Sequence, residues 1–84
     1  MKNRKGKINI DRRMLNGEMK EVLSLFSLLI PRYIEDNPMN SFVSYYCLSP
    51  MFKELHEGDS VPLYDAIATY EKDGTMSVQF KIVG

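Results

Sequence analysis

The chain has one cysteine, one histidine and no tryptophan in 84 residues. The lone cysteine, Cys47, excludes an internal disulfide. Secreted domains this small usually depend on such staples, so a cytoplasmic protein is expected. The five glycines stand singly at positions 6, 17, 58, 74 and 84, which excludes a glycine-rich phosphate loop. A single histidine without paired cysteines falls short of a zinc site. The acidic cluster Glu54-Leu55-His56-Glu57-Gly58-Asp59 lacks the alternating carboxylates of a calcium loop and reads as a solvated turn. No metal, cofactor or small-molecule substrate is expected, and no enzyme, since no nucleophile, base and acid are placed to converge. The most apolar run, Val22–Ile30, is far shorter than the ~20 residues that cross a bilayer, so no membrane partner is expected. Glu18 and Glu21 before it and Pro31 after it do not suit a signal peptide, so none is expected.

What the chain does have is charge sorted by position. Residues 1–20 carry seven bases against two acids, and residues 21–84 carry four bases against nine acids. The net charge of zero therefore hides a basic beginning and an acidic body. A segment of that kind attracts something negative: a nucleic acid, an acidic protein or a second copy of the chain. The expected division is a flexible basic arm over residues 1–6 and a single small domain over 7–84. A domain of this length buries only about 60% of the surface its unfolded chain exposes.

The pattern predicts an α+β fold: one long amphipathic helix packed on a three- to four-stranded antiparallel sheet that ends in a C-terminal β-hairpin. Leu15, Met19, Val22, Phe26, Leu29 and Tyr33 recur at spacings of three and four, with Leu23 and Ile30 widening the stripe, and Pro31 ends or bends the helix. Lys7–Ile10 and Phe42–Leu48 read as strands. Ser49-Pro50 reads either as a helix start or as an irregular connection. In the hairpin, Asp73-Gly74 as a two-residue turn sets Tyr70 opposite Ser77, Ala68 opposite Gln79 and Ala66 opposite Lys81. Ile67, Val78 and Phe80 would then face the core, and Tyr64, Ala66, Ala68 and Tyr70 would form an outer trough with aromatic walls. Cys47 reads as a small buried hydrophobe within a strand.

Leu25 and Leu28 fall outside the stripe, so the helix is expected to carry more apolar surface than one sheet covers. The functional expectation is a small non-enzymatic protein-binding regulator or inhibitor, a homodimer that occupies a partner's surface through Tyr64, Tyr70, Lys81, Arg12 and Arg13. The partner's identity is not legible. The alternative is a nucleic-acid-binding protein that sets Arg4, Lys5, Lys7, Arg12 and Arg13 on phosphates. In general character the chain resembles a compact accessory protein of a phage or mobile element. That likeness rests on composition and on no motif.

Overall fold

Lys5–Asp11 (KGKINID) alternates residue by residue. In the computed structural model it forms strand β1, with Gly6, Ile8 and Ile10 buried and the residues between them turned the other way. The structure describes residues 3–17 and 19–83, without the side chain of Met19; Met1 and Lys2 of the expected arm lie outside the described residues. Helices α1 (Arg12–Gly17) and α2 (Met19–Phe26) follow, then β2 (Ile30–Glu35), β3 (Phe42–Leu48), β4 (Leu63–Tyr70) and β5 (Met76–Ile82). The strands make one sheet in the order β2-β3-β1-β4-β5. β1 is the centre. It runs antiparallel to β3 along its whole length and parallel to β4 through Lys7↔Leu63 and Ile8↔Tyr64.

Among the described residues, the expected long helix and purely antiparallel sheet are therefore corrected to a mixed five-stranded sheet with two short helices. α1 and α2 are described on either side of Glu18, which lies outside the described residues. α2 ends near Phe26, where Leu28 N–H and Leu29 N–H reach back only three residues, to Leu25 and Phe26. The spacing that carried the stripe on to Tyr33 is a coincidence of period, because Ile30–Glu35 is an edge strand. One side of its ladder is open, which tolerates Pro31. The buried helix positions are Val22 and Leu25, with Leu29 just beyond. Leu25 is thus part of the core rather than surplus to it, Leu28 sits at the margin of exposure, and Leu23 points outward.

β4 and β5 pair as an antiparallel hairpin, one residue away from the predicted register: Tyr70 faces Met76, Ala68 faces Val78 and Ala66 faces Phe80. The loop has three residues, not two. Gly74 N–H donates to Glu71 O (3.0 Å), Gly74 takes φ of 87°, and Glu71 N–H donates to Thr75 O (2.8 Å). Asp73 Oδ1 accepts from both Thr75 N–H and Thr75 Oγ1, which fixes the tip. A one-residue slip exchanges the two faces of β4, so Tyr64 turns into the core and Ile67 turns out.

One face of the sheet carries Ile8, Ile10, Val43, Cys47 and Tyr64, and all of these but Val43 share a core cluster with Leu25 and Leu29. Phe26 meets Tyr45 edge-on at 4.9 Å on this side. The connection 49–62 forms no helix. It lies over the same face through Phe52, 1% exposed, which stacks on Tyr64 at 4.4 Å and meets Phe80 edge-on at 5.2 Å. Gly6 lies directly against that stack, and a Cβ there would come within 2.7 Å of the Tyr64 ring and 2.8 Å of the Phe52 ring.

Two stability predictions follow from the glycines. Gly6→Ala forces two interlocked rings apart and should lower the unfolding free energy by about 1–3 kcal/mol. Gly17→Ala, a helical position with nothing within 4 Å, should raise it by about 0.4–1 kcal/mol. Urea denaturation measures both, and equal effects would contradict the packing described. Asp11 gives a third. It caps α1 by accepting from Arg13 N–H (2.8 Å), and its hydrogen bonds with the Arg13 side chain and backbone hold its carboxyl below the ordinary value of 3.8. This contribution is complete above pH 3.8 and is lost as pH falls through the lowered folded value. Asp11→Asn keeps an acceptor without the charge, so its urea midpoint should fall less than the parent's between pH 5 and pH 3.

Candidate functional site

The opposite face of the sheet carries the residues that alternate with the core. Register places them in rows across the strands. Ile30, Leu48 and Lys5 make one row, and Tyr33, Tyr46, Lys7 and Leu63 make the next. A third row begins with Glu35, Ser44 and Asn9, where Ser44 Oγ–H donates to Asn9 Oδ1 at 2.6 Å. No helix covers these rows, because α2 packs on the Ile8 side, as does Phe52 of the 49–62 connection. Tyr33 is 59% exposed and Ile30 44% exposed as a result.

Two details concentrate chemistry in the first two rows. Tyr33 and Tyr46 lie with ring centroids 5.4 Å apart and tilted by 56°, and the Lys7 ammonium stands 5.5 Å from the Tyr46 centroid, within reach of a cation–π contact. The register of β2 against β3 shifts between Pro31 and Tyr33, which leaves Arg32 as the extra residue of a bulge. Arg32 thereby joins Lys5, Tyr46, Leu48, Val61 and Asn3 around an open cavity of about 520 Å³. Its lining is mostly apolar, and Lys5 and Arg32 are its cations. A second cavity, about 470 Å³, adjoins it through Asn3, Lys5 and Val61 and is bounded by the 54–59 loop with Glu54, Glu57 and Asp59. Cations and rings thus occupy the β2 side and carboxylates the loop side.

The residues singled out in the sequence divide sharply. Lys5 and Lys7 lie on this face, one row apart. Arg4 does not: its guanidinium donates to Phe52 O at 2.6 Å and fastens the 49–62 connection. Arg12 holds the β2–β3 loop by donating to Asn40 O, Asn37 O and Asp36 Oδ1. Arg13 pairs with Asp11 at 3.3 Å. Tyr64 is 4% exposed and its hydroxyl accepts from Lys53 N–H, so one wall of the expected outer trough is buried in the core, while Ala66 and Ala68 stay exposed. Tyr70 remains exposed at the far end of the hairpin, with its hydroxyl donating to Glu21 Oε1 (3.0 Å). Lys81 lies on the uncovered face opposite Asp65.

Of the expected arm, residues 3–6 are tied into the fold. Leu55 N–H donates to Asn3 O, Ser49 N–H donates to Arg4 O, and Lys5 and Gly6 belong to β1. Tyr33, Tyr46 and Arg32 were missed in the sequence. The three-and-four spacing places Tyr33 on a helix stripe, and a bulge leaves no mark that one strand alone can show. A readable signal did exist for Tyr46, the alternation of Phe42–Leu48 with one face opposite the lysines of KGK.

Among the described residues no group of His, Cys, Asp and Glu is arranged to hold a metal, and no helix is long and apolar enough to cross a membrane. The 54–59 cluster closes on itself: His56 N–H donates to Asp59 Oδ2, Asp59 N–H donates to His56 O, and Gly58 supplies φ of 90°. No family model matches the chain, and neither curated proteins nor solved structures give a match.

Cys47 faces the core, and burial pushes its thiol up to about 11. It should therefore not react with a disulfide reagent at pH 8 until the chain unfolds. Rapid stoichiometric labelling of native protein would contradict this.

Proposed function

We propose that this chain is a non-enzymatic protein that binds single-stranded nucleic acid on the uncovered face of its sheet. One observation carries the reading: the Tyr33–Tyr46 pair with Lys7 over Tyr46 and Lys5 and Arg32 around the adjoining cavity. Every base offers a π face to a tyrosine ring, and phosphates flanking a stacked base find the cations at the side. Unstacked bases reach such a platform, whereas bases paired inside a duplex do not. The first two rows carry no carboxylate, and the acids of the 54–59 loop direct the strand away from that rim. This is the phosphate-contact reading of the basic beginning, narrowed from five cations to Lys5 and Lys7 and joined by Arg32.

The reading is non-enzymatic because the groups a nucleophilic mechanism would draw on stand in unsuitable places. Cys47 is buried with its thiol protonated, and His56 sits in an exposed turn. A lone reduced cysteine fits the cytoplasm, where we place the protein.

A regulator that occupies a protein surface is the second reading. Ile30, Val61 and Ile67 add exposed aliphatic area that nucleic acid does not require.

Fluorescence anisotropy with a labelled single strand of about 12 nucleotides decides between them. At low salt we expect binding, stronger than to the same sequence as a duplex. Tyr46→Ala and Tyr33→Ala should each weaken it by about 1–3 kcal/mol while circular dichroism stays unchanged. Lys7→Gln should lower the salt dependence by about 0.7 in log–log slope. Absence of binding to single-stranded DNA and RNA at low ionic strength would overturn the proposal and leave the face to a protein.

A further inference from the structure

The sheet has two edges, and they differ. β2 is interrupted by Pro31 and by the register shift beside it, both of which discourage another strand from adding there. β5 has seven residues, no proline and an unbroken register with β4. It pairs on one side only. The β4–β5 ribbon also overhangs the sheet, since β4 meets β1 only at Leu63 and Tyr64. Two strands alone are marginally stable in water, so an overhanging ribbon gains most from a further strand.

The direction of its backbone groups can be read from the hairpin. Glu71 N–H bonds to Thr75 O, and Val83 N–H bonds to Leu63 O. Antiparallel pairs alternate between bonded and non-bonded, so Ser77, Gln79 and Lys81 direct their backbone groups at β4. Met76, Val78, Phe80 and Ile82 direct theirs outward, at the open edge.

We infer that β5 pairs antiparallel with β5 of a second copy, about a two-fold axis at Gln79. In this register Val78 lies opposite the partner's Phe80 and Met76 opposite the partner's Ile82. Every outward-directed backbone group of the four even-numbered residues then meets another. An axis moved to Val78 or Phe80 leaves one end of the strand unmatched. The side chains agree with the backbone. Met76, Val78, Phe80 and Ile82 continue as one apolar stripe across both copies on the core side, and Lys81 falls opposite the partner's Ser77 rather than a like charge. The sheet then runs through ten strands and leaves both tyrosine–lysine faces uncovered. This inference does not depend on the nucleic-acid reading.

Cysteine scanning tests it. Gln79 opposite its own copy is a non-bonded pair, with Cα atoms about 4.5 Å apart, inside the range a disulfide spans. Two Ser77 residues would be about 13 Å apart. Under mild oxidation Gln79→Cys should cross-link to a covalent dimer and Ser77→Cys should not, with native Cys47 unreactive in both. Val78→Pro removes an outward N–H and no bond to β4, so in the Gln79→Cys background it should abolish cross-linking. If that variant fails to fold, the Gln79/Ser77 comparison stands by itself. Gln79→Cys that stays monomeric, or Ser77→Cys that cross-links equally, overturns the inference. So does a monomer mass of the parent in sedimentation over about a hundredfold range of concentration.

Discussion

A missing side chain organises this fold. Gly6, in the central strand, leaves the space in which Phe52 stacks on Tyr64, and that stack joins three segments distant in sequence: β1, the 49–62 connection and β4. Arg4 and Tyr64 secure it with bonds to the backbone of Phe52 and Lys53. Without this contact the connection has no helix or strand of its own to hold it, and the C-terminal hairpin meets the rest of the sheet at only two residue pairs.

The same strand explains where the charge goes. A run of bases at the beginning of a chain invites the picture of a tail, yet KGKINID alternates, and its apolar half is the middle of the core. Once Gly6, Ile8 and Ile10 face inward, Lys5 and Lys7 must face outward together, beside whatever β3 and β2 present on that side. They present Tyr46 and Tyr33. The helices have room for one face only, so the cations stay accessible. The arginines of the same segment are spent differently: Arg4, Arg12 and Arg13 each have partners within the chain that position a loop or a helix start.

Two elements of this organisation were legible. Phe42–Leu48 is rich in aromatic and β-branched residues and is a strand over those residues. Asp73-Gly74 marks a hairpin correctly as a turn. The register was not legible, because Gly74 serves equally as the second residue of a two-residue loop or the third of a three-residue one, and only the Gly74–Glu71 bond distinguishes them. That single residue exchanged Tyr64 for Ile67 between faces. The helix was over-read for a related reason: spacings of three and four continue through Leu29 and Tyr33, although Ile30–Glu35 pairs with β3. Local period cannot register that pairing, which depends on residues distant in sequence. The site was hidden by the same gap, since its five side chains lie on three strands that meet only in the sheet.

On the reading proposed above, a single strand lies on the face bearing Tyr33, Tyr46, Lys5 and Lys7. The most direct measurement is an amide and side-chain NMR titration with a short single-stranded oligonucleotide at low salt. Shifts are expected to concentrate at Lys5, Lys7, Arg32, Tyr33 and Tyr46, with Val22, Leu25 and Phe52 unmoved. Shifts centred on the helices, or a spectrum unchanged at saturating oligonucleotide, would contradict it.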